Sequence, residues 1–233
     1  MIYVMSDLHG CYDKYMQMLE KIKFNNEDTL YVLGDIVDRG DDGIKILLDM
    51  MKRPNVIPML GNHEYMTYSV LKKFNVEITE SNYSTHLNGE AIEMYENWMF
   101  NGGITTCQAF LKLDRDTRDT IIEYLGEFEL YEEVEVNNNK FILVHGGLAD
   151  FSEEKELSDY GIHDLIWGRC DYARQYYSDK YLVTGHTPTY NIDSKYRGRI
   201  YRENNHIAVD CGVVFGERLG CICLDTLEEF YVA

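Results

Sequence analysis

The chain has 233 residues, 45% of them hydrophobic, and a formal net charge of -18 from 40 acidic and 22 basic residues. This length suits one large domain, and the hydrophobic fraction supports a buried core but not a membrane protein. No apolar stretch approaches the roughly 20 residues of a membrane-spanning helix, and the negative charge would repel nucleic-acid phosphates. We therefore expect an intracellular, cytoplasmic protein with neither a membrane nor a nucleic acid as partner.

The first third of the chain alternates short apolar runs with amphipathic patterns. The apolar runs predict strands at residues 2–5, 30–33 and 56–60, and the amphipathic patterns predict helices at 12–22 and 44–51. Because strands and helices alternate, we expect parallel strands joined by right-handed crossovers. The first strand is too short for a secretory signal and lacks the preceding positive charge.

The rest of the chain predicts a helical insertion followed by more strands. Residues 65–130 have helical patterns, and the runs 131–136 and 141–144 flank Asn137-Asn138-Asn139, which favours a hairpin turn. Further strands are predicted at 181–183, 207–209, 220–224 and 230–232. We expect a single α/β domain over residues 1–233, with two sheets, helices outside them and the insertion at about 65–130.

Five polar clusters each follow directly on one of these apolar runs. They are Asp7-Leu8-His9-Gly10, the block from Gly34 to Gly40, Gly61-Asn62-His63-Glu64, His145-Gly146-Gly147 and Gly185-His186-Thr187. In an open α/β sheet, ligands bind outside the carboxyl ends of the strands. The five clusters are therefore predicted to converge on one site.

The side chains in these clusters predict a pair of metal ions. Aspartate, asparagine and histidine offer oxygen and imidazole ligands without sulfur, a set that suits Mn, Fe or Zn rather than a cysteine-bound structural zinc. Asp7 and His9 lie two residues apart at a strand end and can bind one ion together. Asp35 is the natural bridging carboxylate, and the second ion would be completed by Asn62, His145 and His186.

Each cluster taken alone has a simpler interpretation. Asn62 could cap a helix, and Asp38 with Arg39 could form a surface salt bridge of little energetic value. The histidines outside the clusters, His86, His163 and His206, are expected at the surface or in packing. The six cysteines, including Cys11 and Cys211, lack the spacing of a disulfide framework or a zinc site and are expected to be reduced thiols.

In their order along the chain, the five blocks resemble the phosphoprotein phosphatase family of metallophosphatases, in particular its phage-type serine/threonine phosphatases. The resemblance extends to Asn101-Gly102-Gly103, Leu165-Ile166-Trp167-Gly168-Arg169 and the stretch from Asp210 to Phe215. It implies a two-sheet β-sandwich of the metallophosphoesterase type, flanked by helices. For the site, it implies one ion on Asp7, His9 and Asp35 and a second on Asp35, Asn62, His145 and His186.

The same resemblance implies roles for the remaining site residues. His63 would be the general acid, oriented by Asp38, while Arg39 and Arg169 would bind the substrate phosphate, with Asn62 beside them. The cofactors would be two divalent ions, Mn²⁺ in the first place, with Fe, Zn, Ni or Co as alternatives. Such a pair polarises phosphoryl oxygens and lowers the pKa of a bridging water, whose hydroxide attacks phosphorus directly.

Three functions are compatible with this site. The first choice is a serine/threonine, and also tyrosine, protein phosphatase that hydrolyses phosphomonoesters in phosphoproteins or small phosphoesters. The second is a symmetrical diadenosine tetraphosphate hydrolase, in which Ala-Arg-Gly-Pro and Asn-His-Asp typically replace Asp38-Arg39-Gly40-Asp41 and Asn62-His63-Glu64. The third is a non-catalytic, metal-stabilised binding module, in which a proton donor such as His63 would have no use.

Overall fold

Two five-stranded mixed sheets form the centre of the protein, whose computed structural model describes residues 1–77, 79–86 and 88–233. The strand order is β10-β9-β1-β2-β3 in the first sheet and β4-β5-β6-β8-β7 in the second. The strands are β1 (Ile2–Met5), β2 (Thr29–Val32), β3 (Val56–Pro58), β4 (Tyr131–Val136), β5 (Asn139–Val144), β6 (Tyr181–Thr184), β7 (Tyr201–Glu203), β8 (His206–Ala208), β9 (Leu219–Cys223) and β10 (Glu229–Val232). The predicted α/β class with two sheets is confirmed.

Helices surround the two sheets. They are α1 (Tyr12–Lys21), α2 (Gly43–Met50), α3 (Asn62–Phe74), α4 (Tyr83–His86), α5 (Gly89–Phe100), α6 (Ile104–Phe110), α7 (Arg115–Leu125), α8 (Ile162–Ile166) and α9 (Thr189–Ile192). Within the three described ranges, none of these helices combines the length and the apolar composition that a bilayer crossing requires.

The carboxyl ends of the parallel strands lie at a common edge. In the first sheet, β1 pairs in parallel with β2, and β2 with β3. In the second sheet, β5 pairs in parallel with β6, and β6 with β8. The predicted parallel pairing is therefore correct, and it places the segments that follow β1, β2, β3, β5 and β6 at one edge of the fold.

The predicted hairpin is formed by β4 and β5. Asn137 and Asn138 take left-handed backbone angles, with φ of 52° and 63°, which matches the twist of the two antiparallel strands. Strand β5 begins at Asn139, two residues before the predicted start, because Asn139 already pairs with Val136.

The inner faces of the two sheets pack against each other. Val4 and Ile222 from the first sheet share a buried cluster with Phe141, Val183 and Ile207 from the second. The outer face of the first sheet is covered by helices such as α1 and α2, whose Tyr15, Met18, Ile46 and Leu47 are buried. The result is a sandwich of two sheets between helical layers.

The helical insertion differs from the prediction at its start. Helix α3 begins at Asn62 rather than near residue 65, because the Glu64 carboxylate accepts a hydrogen bond from the backbone N–H of Gly61 at 3.2 Å and caps the first turn. Strand β7 was not predicted. Two of its three side chains are exposed, so it has no apolar alternation to recognise.

Candidate metal centre

Four histidines and one aspartate meet at the common edge of the two sheets. The Oδ1 atom of Asp35 lies 3.3 Å from Nε2 of His145, and its Oδ2 atom lies 3.5 Å from Nε2 of His9 and 3.9 Å from Nε2 of His63. Two groups of potential ligand atoms result, each within 4.8 Å: His9, Asp35 and His63, and Asp35, His145 and His186. Asp35 belongs to both groups.

Backbone carbonyls orient two of the imidazole rings. The Nδ1 atom of His9 donates to the carbonyl of Val37 at 2.9 Å, and Nδ1 of His145 donates to the carbonyl of Leu33 at 2.5 Å. Burial lowers the pKa of both histidines, so their rings are neutral. The Nε2 atom of each ring therefore carries a lone pair, which faces Asp35 in His145 and accepts a hydrogen bond from Arg39 in His9.

The residues of the second group fit a divalent cation. Besides the Asp35 carboxylate, the Oδ1 atom of Asn62 lies 3.0 Å from Nε2 of His145. The neutral His145 ring already uses its proton on Leu33, so three acceptor atoms converge without a proton between them. A cation bound by all three satisfies these lone pairs, and neutral imidazole with hard oxygen ligands suits a transition metal.

Asp7 bonds to the backbone of the loop after β6. Its Oδ2 atom accepts a hydrogen bond from the backbone N–H of His186 at 2.9 Å and another from the hydroxyl of Ser6. The group of atoms around His9 contains His63 in its place. Asp7 thus connects the end of β1 to the loop after β6, and its role as a ligand stays a prediction.

Six site residues adopt a left-handed backbone conformation, which is rare for residues with a side chain. These are Asp7, His9, Asp35, Asp38, Arg39 and His186, with φ between 40° and 68°. Each such residue costs about 1–3 kcal/mol of strain, which persists only where the surrounding structure enforces it. The turns at the strand ends therefore aim the side chains at the site at the expense of local stability.

Glu64 holds the loop after β2 and was assigned no role from sequence. Its fully buried carboxylate accepts hydrogen bonds from the backbone N–H groups of Asp35 and Ile36, both at 2.7 Å, and of Val37 at 3.1 Å. Burial raises the pKa of Glu64 to about 7, although these N–H groups act in the opposite direction. The signal that could have revealed Glu64 is an acidic residue in the first turn of a helix that begins at a polar cluster.

His63, next to the candidate ligand Asn62 in the chain, is hydrogen-bonded to Asp38. The Nδ1 atom of His63 lies 2.8 Å from Oδ2 of Asp38, and both side chains are buried. Burial raises the pKa of Asp38 to about 7, while hydrogen bonds from Thr106 and Trp98 lower it. Since Asp38 is fully buried and bonded to His63, the alternative of a surface salt bridge with Arg39 is wrong.

Arg39 and Arg169 line a pocket together with candidate metal ligands. This pocket has a volume of about 370 Å³, and its lining includes Asp35, Asn62 and His186. The guanidinium of Arg39 donates to Nε2 of His9 at 2.5 Å and to Nε2 of His63 at 3.0 Å. The structure therefore brings both predicted phosphate-binding arginines to the same pocket.

The histidines outside the clusters lie away from this centre. His206 is buried and stacks on Tyr172 at 4.7 Å, whereas His163 is exposed and stacks on Trp167 at 4.6 Å. His86 bonds through Nδ1 to the carbonyl of Lys73 at 2.8 Å. The six cysteines are free thiols, as expected.

The two-sheet fold and the ligand groups that share Asp35 are those of a metallophosphoesterase. The profile of the calcineurin-like phosphoesterase family matches residues 1–216 of the chain, so the chain belongs to that family.

Two kinds of relative are both nucleotide hydrolases by name. The chain is 33% identical over 129 residues to the symmetrical bis(5'-nucleosyl)-tetraphosphatase of Buchnera aphidicola subsp. Schizaphis graminum, a match that covers 54% of this chain and 44% of the relative. It is 24% identical over 254 residues to the asymmetrical bis(5'-nucleosyl)-tetraphosphatase PrpE of Halalkalibacterium halodurans, which covers 97% of this chain and 90% of the relative. The chain thus spans less than half the length of the symmetrical relative.

Solved structures share the fold at low sequence identity. A candidate diadenosine tetraphosphatase superposes with a TM-score of 0.66 at 17% identity, over 99% of this chain and 92% of the other. A serine/threonine phosphatase of Saccharomyces cerevisiae superposes with a TM-score of 0.53 at 16% identity, over 94% of this chain and 71% of the other. At these identities the likeness concerns the fold alone.

Proposed function

We propose that the protein is a metal-dependent hydrolase of dinucleoside polyphosphates that works at a centre of two divalent ions. The observation that carries this proposal is the position of Asp35, whose two carboxylate oxygens face different ligand groups. Oδ1 lies 3.3 Å from His145 and Oδ2 lies 3.5 Å from His9. A carboxylate placed in this way can bridge the closely spaced ions of a two-metal hydrolase.

The ligands of the two ions are assigned from this arrangement together with the family resemblance. Asp7, His9 and Asp35 would hold one ion, and Asp35, Asn62, His145 and His186 would hold the other. The nitrogen and oxygen atoms suit Mn²⁺ as well as Fe, Zn, Ni or Co, so availability decides which metal is bound. Bound ions of this kind polarise phosphoryl oxygens and lower the pKa of a coordinated water.

The chain's own residues would bind the phosphate and supply a proton. Arg39 and Arg169 line the same pocket as Asp35, and planar guanidinium groups match phosphate oxygens with two parallel hydrogen bonds. His63, protonated at Nε2 in place of its contact with Arg39, would give that proton to the leaving oxygen, while Nδ1 is held by Asp38. Asn62 lines the same pocket as the two arginines.

Two observations support a dinucleoside polyphosphate as the substrate. The relatives described above are bis(5'-nucleosyl)-tetraphosphatases by name, both symmetrical and asymmetrical. In addition, three aromatic side chains line the pocket, Trp167, Tyr190 and Phe215, and Phe215 is 54% exposed. Flat aromatic rings at a phosphate site can stack on nucleobases, an interaction worth about 1–3 kcal/mol per base.

A phosphoprotein is the second candidate substrate. It was the first choice from sequence, because Asp38-Arg39-Gly40-Asp41 and Asn62-His63-Glu64 match the protein phosphatase pattern and differ from the typical hydrolase motifs. The comparisons favour the dinucleoside alternative over that choice.

A substrate screen with added Mn²⁺ tests both candidates. The full chain is assayed with diadenosine tetraphosphate and with phosphoserine, phosphothreonine and phosphotyrosine peptides, with and without a chelator. We expect metal-dependent cleavage of diadenosine tetraphosphate, and the products show whether it is symmetrical (ADP alone) or asymmetrical (ATP and AMP). Faster hydrolysis of the phosphopeptides would overturn the proposed substrate. Metal binding without hydrolysis of any phosphoester would indicate a binding module.

A further inference from the structure

The helical insertion reaches the site through two side chains that bond to Asp38. The indole Nε1 of Trp98, on α5, lies 3.0 Å from each carboxylate oxygen of Asp38. The hydroxyl of Thr106, on α6, donates to Oδ1 at 2.7 Å. Trp98 and Thr106 are 0% and 2% exposed, so these bonds are shielded from water.

The hydrogen bonds of this cluster fix the orientation of the Asp38 carboxylate. Thr106 Oγ1 accepts a hydrogen bond from the backbone N–H of Asp38 at 2.9 Å, so its own single proton must point to the carboxylate. The indole N–H can only donate. Nε2 of His63 accepts from the Arg39 guanidinium, so the proton of the neutral ring is on Nδ1, which donates to Asp38. Among the described residues, the side-chain groups bonded to this carboxylate are therefore all donors, and they hold both of its oxygens in place.

A carboxylate held in this orientation can support a proton-donating His63. It fixes the ring by accepting from Nδ1, and it stabilises the positive charge that the ring carries when Nε2 is also protonated. If Thr106 or Trp98 lost its donor, the carboxylate would be free to rotate away from His63. His63 would then lose both its orientation and its electrostatic support.

The turn between α5 and α6 holds these two side chains in place. A Cβ atom added at Gly103 would lie 2.5 Å from the Trp98 ring, so the turn packs directly on the indole. Gly102 has a φ of +100°, and its carbonyl accepts a hydrogen bond from the backbone N–H of Arg39 at 2.9 Å. The insertion thus contacts the loop of Asp38 and Arg39 through both side chains and backbone.

We propose that Trp98 and Thr106 are positioning residues for the His63–Asp38 pair, and that the helical insertion is therefore part of the proton-donating apparatus. This inference rests on the proposed function, in which His63 protonates the leaving group. It predicts that removing the Trp98 or the Thr106 donor lowers kcat, and lowers it more for substrates with poor leaving groups, which depend on protonation.

A set of matched variants tests the inference in the full chain loaded with Mn²⁺. Thr106→Val removes the hydroxyl, Thr106→Ser retains it, and Trp98→Phe removes the indole donor. Thr105→Val is the control on the same helix, because the Thr105 hydroxyl has no hydrogen-bond partner within the described part of the chain. His63→Asn gives the effect of losing the donor itself.

The readouts are kcat for phenyl phosphate and for p-nitrophenyl phosphate, whose leaving group is better, and the proton NMR signal of the His63 Nδ1–H. We expect Thr106→Val and Trp98→Phe to lower kcat on phenyl phosphate about 10-fold, a fraction of the 10²–10⁴-fold contribution of general acid catalysis, and to lower it clearly less on p-nitrophenyl phosphate. The NMR signal should shift upfield in both variants. Thr106→Ser and Thr105→Val should resemble the unmodified chain in all three readouts.

The outcomes separate this inference from the proposed function. Equal losses on both substrates, with an unshifted His63 signal, would mean that Trp98 and Thr106 only stabilise the fold, which overturns the inference. If His63→Asn loses more kcat on phenyl phosphate than on p-nitrophenyl phosphate while Thr106→Val and Trp98→Phe do not, only the positioning role of Trp98 and Thr106 is wrong. If His63→Asn itself is unselective, the acid role of His63 fails and the inference with it. If the chain does not cleave diadenosine tetraphosphate but the variants still lose more activity on phenyl phosphate, only the proposed substrate is wrong.

Discussion

Glu64 accepts a hydrogen bond of 2.7 Å from the backbone N–H of Asp35, the residue shared by the two ligand groups. Glu64 lies on the first turn of α3, whereas Asp35 follows β2, so one buried carboxylate joins the second and third strand ends. Glu64 contributes no ligand to either group and bonds only to backbone N–H groups of the described chain. The geometry at Asp35 therefore depends on a residue outside the predicted ligand set.

Replacing Glu64 by Gln should destabilise the protein and loosen metal binding. A neutral amide can accept through its oxygen only, and its NH₂ group would face backbone N–H donors, so we expect a loss of about 3 kcal/mol in the free energy of unfolding. Urea denaturation and Mn²⁺ titration measure the two effects. The exposed Glu93→Gln on α5 is the control. Unchanged stability and metal affinity in Glu64→Gln would contradict this account of the loop.

Asp35→Asn should abolish the paired metal site without unfolding the chain. An amide has one oxygen and no negative charge, so it cannot bridge two cations. We expect isothermal titration to show two Mn²⁺ per chain before the change and at most one afterwards, with kcat reduced more than 10³-fold. The exposed Asp41→Asn nearby provides the control. Two tightly bound ions in Asp35→Asn would remove Asp35 from the bridging role.

His63→Asn should retain the metals and lose most of kcat on substrates with poor leaving groups. The Nδ1 atom of His63 is bonded to Asp38, and a proton given from Nε2 to the leaving group would contribute about 10²–10⁴-fold to the rate. Steady-state kinetics on a series of aryl phosphates tests this, with His86→Asn in the insertion as control. Full activity of His63→Asn on the poorest leaving group would exclude the acid role.

Gly34→Ala should be among the most destabilising single-methyl changes in the chain. Gly34 has a φ of +78°, and an added Cβ would lie 2.5 Å from the backbone of Gly61. Backbone strain and the overlap with Gly61 together should lower the free energy of unfolding by about 3 kcal/mol or more. Gly216→Ala isolates the strain, because Gly216 has a φ of +86° and open space around its Cβ position, so about 1–2 kcal/mol is expected. Equal unfolding free energies for the two variants would disprove the close approach of the loops.

His206 should make the protein less stable in acid. Burial lowers the pKa of His206 from 6.5 to about 3, so between these values the unfolded chain binds one more proton than the folded chain. The stabilising effect of a neutral His206 is thus present above pH 6.5 and is lost as the pH falls toward 3, by about 1.4 kcal/mol per pH unit. Urea denaturation measures the free energy of unfolding at several pH values between 7 and 4. This free energy should fall less steeply with decreasing pH in His206→Gln than in the unmodified chain, and the exposed His163→Gln is the control. An unchanged slope in His206→Gln would contradict this prediction.

Much of the fold was predictable from local pattern. Strand β1 coincides with the predicted 2–5, the hairpin turns at Asn137 and Asn138, and the helices of the insertion fall where the helical patterns are. These features depend on alternation, helical periodicity and turn preferences within about ten residues. Strand β7 was missed because two of its three side chains are exposed. Helices α8 and α9 were missed because four or five residues make little more than one turn, too few for helical periodicity to appear.

By itself, the sequence determined which side chains could meet, since each polar cluster stands at the end of an apolar strand and parallel strands end at one edge. Only the tertiary structure decided how they meet: Glu64 bonds to the loop of Asp35, Asp7 holds the loop of His186, and Asp38 lies between Trp98 and Thr106. These contacts join residues between 29 and 179 positions apart, from Glu64 with Asp35 to His186 with Asp7. Local periodicity specifies the direction of a side chain but not its distant partner, and that partner is determined only when the sheets and the insertion pack together.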